Sequence, residues 1–486
     1  MRIRKMIFKK NKKDQSFLVD LKNELGVEKV LDQADDLKGY ADDWTEIPGH
    51  PPDAVVIAKN VQDIQRVLKI ANEYKTPVVP RVANTNIGGL AIPQKGGIVL
   101  DLTKMNRILE VNEKDMYAVI EPGVTWGDIK KCLAEKHPSL RFGYSLSPPH
   151  TSVLANCLMS GLTNLSLKHG TTADWINGFE AVLPTGEIIR TGIGAISDIW
   201  CSRAPMPDLV GLFINFQGTT GIVTKLAVQL WPNHPFRKRF FVLAYDTEQM
   251  YDFINLLVRA EVCDDVGGLS WPVGKMLFGQ KKPVYRDPAE PEQFLYIDVS
   301  AEYEDLFNVK LHIIDRLIKE QRKKGVRLES PLDIKKLVKI APRFEKFADF
   351  PAELDFLLEQ GGLSWVGTFG PTSQWKEGIK RGMQLMEEHG FPPIVVTRPM
   401  QGGHFGVLRF IEVFDKNDME QVKRVTDLNQ KLSDLVIELG FFPYKTPAWV
   451  IERHRDKIDP NFLRLAGQVR NLLDPNGIMN PGKWPF

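Results

Sequence analysis

Residues 54–80 constrain the fold more than any other stretch of the chain. "AVVIAKN" reads as a strand, "VQDIQRVLKIANEYK" carries apolar residues at helical spacing, and "TPVVP" reads as a second strand. A strand, a helix and a strand in so short a span make a βαβ unit, for which a right-handed crossover is expected. The unit delivers the chain into "PRVANTNIGGLA", residues 80–91. A loop that wraps a phosphate turns successive backbone N–H groups inward by alternating right- and left-handed conformations. Glycine adopts the left-handed form most easily, and asparagine is the next most tolerant. Asn84, Asn86, Gly88 and Gly89 are therefore candidates for the left-handed positions, and Thr85 adds a hydroxyl donor. The loop has no G-x-G-x-x-G leading into a helix, which argues against a Rossmann site. Taken alone, it reads more readily as a polar turn between strands.

The rest of the chain falls into recognisable segments. "SFLVDLKNELG" reads as a helix capped by Gly26. From Gly97 the pattern is β-rich ("GIVLDL", "RILEVN", "YAVIEPG"), followed by the helices "VTWGDIKKCLAEK" and "TSVLANCLMSG". "GFEAVLPTGEIIRTG" predicts a hairpin turning at Pro184–Gly186, and "GIVTKLAVQLWP" a closing strand. Beyond a proline-marked junction at 232–235, long amphipathic helices alternate with strands, as in an antiparallel sheet backed by helices. A chain of 486 residues is too long for one core, so roughly three domain-sized units are expected. The divisions read from the pattern are a basic tail and helix (1–48), a first domain (49–235), a second (236–440) and a return segment (441–486).

A net charge of +2 offers no basic face for nucleic acid. Cys132, Cys157, Cys201 and Cys263 are scattered, which argues against a metal centre or a disulfide framework and points to a reducing cytoplasm. "MRIRKMIFKKNKKDQ" lacks an apolar core, so it reads as neither signal peptide nor membrane span. It is either a solvated tail or a docking patch for an acidic partner or a membrane surface.

The ordered string from "PVVPRVANTNIGGLAIPQKGGIVLDL" through "AVIEPGVTWGDI", "SVLANCLMSG", "HGTTADWINGFEAVLPTGEIIRTG" and "GLFINFQGTTGIVTKLAVQLWPN" to the tail "LLDPNGIMNPGK" resembles the vanillyl-alcohol oxidase and p-cresol methylhydroxylase superfamily. The resemblance implies an α+β fold: a two-subdomain FAD-binding domain and an α+β substrate (cap) domain with an antiparallel sheet. It implies FAD as cofactor, cradled by Arg81, Val82, Ala83, Asn84, Thr85, Asn86, Gly88 and Gly89. Pro122 and Gly123 of "EPGV" would lie against the cofactor. Ser147, Pro148, Thr151, Ser152, Asn156, Gly161, Gly221, Ile222, Val223, Asn480 and Lys483 complete the implied site. The "R-S-G-G-H" tether is absent, because Val82, Ala83 and Asn84 follow Arg81, so noncovalent FAD is expected.

The same resemblance directs attention to three places for catalysis. Phenol-oxidising members carry an acid/base Asp in the segment matched by "FGYSLSPPHTSVLAN"; here that position is Ser147, and His150 is the candidate replacement. Their Tyr–Arg pair matches Tyr444 and Lys445, a lysine that keeps the charge but loses the bidentate fork. In "MQGGHFGVLRF", Gly402 and Gly403 suggest backbone approaching a ligand, His404 is a candidate base, and Arg409 a candidate partner for a substrate carboxylate. The second histidine that related 2-hydroxy-acid dehydrogenases use for metal is missing, so no metal is expected. The implied activity is a dehydrogenase that takes a hydride from a 4-alkylphenol or aromatic alcohol and passes electrons to a protein acceptor. The alternative is a 2-hydroxy-acid dehydrogenase subunit (glycolate or D-lactate type) working with an iron–sulfur partner. A cytochrome is the other acceptor considered, with a homo- or hetero-oligomer and peripheral contact with a membrane-bound acceptor as further expectations.

Overall fold

The computed structural model describes residues 12–85 and 87–484. The basic tail before residue 12 and Asn86 of the loop lie outside the described residues. Helix Lys12–Leu25 ends where expected: Gly26 has φ 92°, and its N–H bonds the Lys22 carbonyl at 3.0 Å. Phe17, Leu18 and Leu21 pack into one core with Ile64, Val67 and Leu68 of helix Val61–Tyr74. That second helix starts on Asn60, whose side chain accepts the Asp63 N–H, and stops at the left-handed Lys75.

The βαβ unit is present, but its two strands are not neighbours. Ile98–Asp101 lies between Ala54–Ile57 and Val78–Arg81, parallel to both. The reason is the composition of the inserted strand: all four residues of "IVLD" are buried, which suits a central parallel strand covered on both faces. "GIVLDL" thus belongs to the first sheet, while "RILEVN" and "YAVIEPG" open the second. That second sheet is antiparallel, in the order Ile108–Asn112, Tyr117–Ile120, Ile222–Gln229, Ile176–Val182, Ile188–Arg190. The hairpin turns at 184–186, with the Gly186 N–H on the Leu183 carbonyl at 2.8 Å. Of the two helices read before it, Trp126–Lys136 carries a Thr125/Asp128 capping box. The other is only Val153–Leu158, followed by a left-handed Ser160.

From Phe236 the chain builds an eight-stranded antiparallel sheet. Its inner strands run Phe236–Ala244, Gln293–Ala301, Asp265–Ser270, Ile394–Met400, Phe405–Asp415, Gly361–Gly370. One face is packed by the amphipathic helices Thr247–Arg259, Glu304–Lys323, Trp375–Glu388 and Met419–Glu438. The other face, with Leu269, Tyr296, Val396 and Ile411, shares a core with Ile87, Tyr144 and Leu146 of the first half. After helix Pro460–Leu473 the chain returns: the Val78 N–H bonds the Ile478 carbonyl (2.7 Å) and the Asn480 N–H bonds the Val78 carbonyl (2.8 Å). The first half and the antiparallel sheet therefore close on one another, and the cavity lies between them.

Candidate active site

The floor of the cavity is made by backbone. Asn84 (φ 53°), Gly88 (φ 135°) and Gly89 (φ 67°) all have the left-handed or positive-φ geometry expected of a wrapping loop. A segment that the sequence reading assigned only to the N-terminal helix region holds this loop from behind. Asn84 Nδ2 donates to the Asp42 carbonyl (2.6 Å), and the Gly89 N–H donates to Asp43 Oδ2 (2.9 Å). The Gly89 carbonyl accepts from Lys483 Nζ at 2.5 Å. Burial pushes the Asp43 carboxyl up from its ordinary range, against the N–H groups of Thr45 and Gly89 that favour the anion.

Residues 81–85 line the cavity, together with Pro122, Ser147, Pro148, Thr151, Ser152, Asn156, Gly161, Gly221, Ile222, Val223 and Asn480. Four implied cofactor residues stand behind that lining. Gly123 packs under the Thr103 carbonyl, where a Cβ would come within 2.5 Å, and Gly88 faces the Lys445 carbonyl. Gly89 backs onto Ile47, and Lys483 reaches the loop through its amine. Ser145, Ser147 and Thr151 form a hydroxyl chain (2.7 and 3.2 Å) in the place where the phenol oxidisers' Asp was sought. Ser152 donates to the Pro122 carbonyl (2.6 Å) while capping the short helix, tying the two cofactor segments together.

The roof is made by side chains. Arg409 projects from Phe405–Asp415, and its guanidinium donates to the Tyr444 hydroxyl. Gly367 on the neighbouring strand makes this meeting possible. It pairs across the sheet with Arg409 and accepts the Tyr444 N–H at 3.1 Å, and its missing side chain leaves room for Arg409 Nε. Tyr444 stacks on Phe369 (4.5 Å between ring centres, 7° between planes), and the Arg409 guanidinium lies 4.6 Å from the Trp365 ring. The arginine paired with Tyr444 thus comes from another strand, and Lys445 is a separate cation beside it. The Lys445 amine lies 5.9 Å from the Trp365 ring. Burial, and then the Arg409 charge, pull it down to about 8. Arg398 also faces the cavity. Its Nη2 is bound by both Asp265 oxygens (2.8 and 2.7 Å) and by the Thr163 carbonyl (2.7 Å). Burial alone would weaken this cation; Asp265 outweighs it and holds Arg398 charged.

Neither candidate histidine reaches the cavity lining. His150 is exposed, with Nδ1 3.9 Å from Glu353. His404 is exposed and has helical backbone geometry just before the strand begins, so the strand's alternation does not carry it inward. Gly403 approaches Val258 of a backing helix, and Gly402 meets nothing closer than His404, so their close approach is packing. Residues the sequence reading missed are Arg398, Asp265, Trp365, Gly367, Trp44 and Gln217. The one available signal was an arginine inside the apolar strand "IVVTRPM".

The lining suits a large polar cofactor. Six buried polar atoms on cavity residues have no protein partner: Arg81 Nη1, Asn84 Oδ1, Gln217 Oε1, Arg398 Nε, Arg409 Nε and Asn480 Oδ1. Buried polar atoms without a partner are costly. The hydroxyls, pyrophosphate and ring edge of a flavin dinucleotide offer such partners. The space is about 1560 Å³, its open mouth included. Among the described residues no group of three or more His, Cys, Asp or Glu could hold a metal ion, and no helix is long and apolar enough to cross a membrane.

Two family models match the chain: an FAD binding domain over residues 52–192 and the FAD linked oxidases C-terminal domain over 368–484. The glycolate oxidase subunit GlcD of Bacillus subtilis (strain 168) is 32% identical over 228 residues, 46% of this chain and 46% of that protein, so the chain matches about half of that relative's length. The 4-cresol dehydrogenase [hydroxylating] flavoprotein subunit of Pseudomonas putida is 25% identical over 501 residues, 94% of this chain and 93% of that protein. The crystal structure of p-cresol methylhydroxylase with substrate bound superimposes with a TM-score of 0.84 at 21% identity, covering 98% of this chain and 97% of that one. At that identity the likeness is one of fold.

Proposed function

Since this chain belongs to the FAD-linked oxidoreductases of the p-cresol methylhydroxylase type, we propose that it dehydrogenates a 4-alkylphenol or an aromatic alcohol. The flavin, when bound, accepts the hydride; the protein supplies position and electrostatics. The single observation that carries the reading is the Arg409–Tyr444 pair in the cavity, beside the rings of Phe369 and Trp365. A guanidinium and a phenolic hydroxyl at one point stabilise an oxyanion, and the Trp365 ring in the lining suits an aromatic body. A phenolate needs no base at the carbon being oxidised, because the electron pair of its own para oxygen assists hydride departure. That agrees with a cavity whose lining includes neither His150 nor His404.

A second reading, oxidation of a 2-hydroxy acid, is favoured by one feature: neither Arg409 nor Lys445 makes an ion pair with a carboxylate among the described residues. Under either reading electrons leave to a protein acceptor, a cytochrome or an iron–sulfur chain; the relative described as a flavoprotein subunit supports a second chain. The missing tether motif supports noncovalent FAD, and acid treatment should release it from the protein. The test of substrate class is anaerobic bleaching of the flavin by 4-alkylphenols, aromatic alcohols, glycolate and D-lactate. The phenols should reduce it fastest. Bleaching by the hydroxy acids alone would sink the phenol reading.

A further inference from the structure

We propose that the Lys445 amine is the base that takes the proton from the substrate hydroxyl, an assignment that rests on the phenol reading above. The lining of the cavity reaches this by exclusion. Among the described residues that line it there is no Asp, Glu or His; the ionisable side chains are Arg81, Arg398, Arg409, Tyr444 and Lys445. Guanidinium groups do not give up their protons at accessible pH and so cannot act as acceptors. The Tyr444 hydroxyl already accepts from Arg409. An amine remains.

Its setting differs from that of the other buried lysine at the cofactor loop. Lys483 spends its amine on the Gly89 carbonyl. Lys445 faces the cavity with the Trp365 ring 5.9 Å away and has no hydrogen-bonding or carboxylate partner among the described residues. The charged and titratable groups around it are Arg409 from Phe405–Asp415, Tyr444 in its own segment and, deeper, Arg398 held by Asp265. On the loop side Gly88 contributes only backbone, with Lys483 and Asp43 behind Gly89. A cation next to a cation in apolar surroundings loses its proton more readily, in line with the downward shift to about 8.

The backbone fixes where the amine starts from. Lys445 has φ 53°, a left-handed conformation rare for a side chain of this kind. Its carbonyl is packed against Gly88, where a Cβ would stand 2.7 Å away, and the preceding N–H is held by Gly367. The residue is thus clamped between the cofactor loop and the Tyr444–Arg409 pair. In the proposed step the substrate O–H bond breaks, an N–H bond forms at Nζ, and the electron pair stays on oxygen. The new oxyanion faces Tyr444, Arg409 and the new ammonium. Net charge is conserved and nothing is oxidised until the hydride leaves for FAD. The arginine that the resembling phenol oxidisers carry at this position keeps the charge but cannot make this transfer.

The test is anaerobic stopped-flow reduction of the FAD-loaded protein by 4-methylphenol between pH 6 and 10, for wild type, Lys445→Arg and Lys445→Met. Wild type should gain rate with pH through a single ionisation near 8 and then level off. Both variants should lose that limb and slow by about 10²–10⁴-fold, the range for general base catalysis, with FAD still bound. A Lys445→Arg protein that keeps the wild-type rate and profile would overturn the assignment and leave Lys445 as a fixed charge. Competitive trace acetylation of the wild type, read by mass spectrometry, measures the same amine without any substrate. Ionisation near 8 is expected, and an ordinary lysine value of about 10.4 overturns the proposal whether or not the variants fold. If wild-type flavin is not bleached by 4-methylphenol, the phenol reading fails; the labelling result still decides whether the amine is a competent acceptor.

Discussion

The two walls of the cavity are built by different means. The floor, residues 81–85 and 87–89, is a backbone object: its shape comes from positive φ at Asn84, Gly88 and Gly89, and its side chains largely brace it from outside. The roof is a side-chain object, in which Arg409, Tyr444, Phe369 and Trp365 arrive from three chain segments and meet only because the antiparallel sheet has one register. The contrast suggests a division of labour. Under the proposed function, the cofactor is the part held by main chain, which constrains residue type loosely. The substrate of that reading would be held by side chains, whose identity and placement both matter.

With Lys445 left in place, the largest expected effect falls on the roof alone. Tyr444→Phe or Arg409→Met removes a donor from the oxyanion position and should slow flavin reduction by about 10²–10³-fold, while the FAD content of the purified protein stays the same. Wild-type reduction rates in both would strike the pair from the site.

Gly88→Ala is the change that should break the separation. It places a Cβ at φ 135° and 2.7 Å from the Lys445 carbonyl, so it strains the floor and displaces the roof together. A cost of about 1–3 kcal/mol, or roughly 5–150-fold, is expected in FAD affinity, with a loss of reduction rate beside it. Loss of only one of the two would mean that the walls are independent at this seam. Asn84→Val confines the strain to the floor: FAD dissociation should rise about tenfold, with the reduction rate of the loaded enzyme unchanged.

Lys445 provides a smaller effect on stability, with a definite sign. Its amine has a lower pKa folded than unfolded, so the unfolded chain binds the proton more readily. The charged amine therefore opposes folding fully below pH 8, and the opposition fades as pH rises from there to the ordinary lysine value of about 10.4. Lys445→Met should melt a few degrees higher than wild type at pH 6.5, with the gap closing by about pH 10. A gap that widens with pH would contradict the buried-cation account. The smallest effects belong to His150→Gln and His404→Gln. Both residues are exposed and outside the lining, and each variant should stay within about twofold of wild type in reduction rate and FAD affinity.

The same contrast explains what could be read in advance. The strand–helix–strand at 54–80, the Gly26 stop, the hairpin at 184–186, the helix in "VTWGDIKKCLAEK" and the helix-backed antiparallel sheet each follow from periodicity or from one residue's φ preference. Strand order was less accessible: nothing in "GIVLDL" says that it inserts between two strands already joined by a helix, except that all four of its paired residues are fit for burial. In the site, Tyr444 was found but its arginine was sought one residue along the chain, when it stands on another strand. Trp44 and Asp43 went unnoticed because a segment before the first domain folds back under the cofactor loop.

By itself, then, the sequence determined the local conformations: which segments are helix or strand, and that Asn84, Gly88 and Gly89 take positive φ. Those are properties of a residue and its near neighbours. Tertiary structure alone decided that Arg409 meets Tyr444 across 35 residues of chain and that Arg398 meets Asp265 across 133. Such pairs depend on sheet register, and a slip of one residue would turn every side chain of the strand to the opposite face. The register here is set by packing summed over the whole eight-stranded sheet and its backing helices, with Gly367 leaving the space into which Arg409 fits.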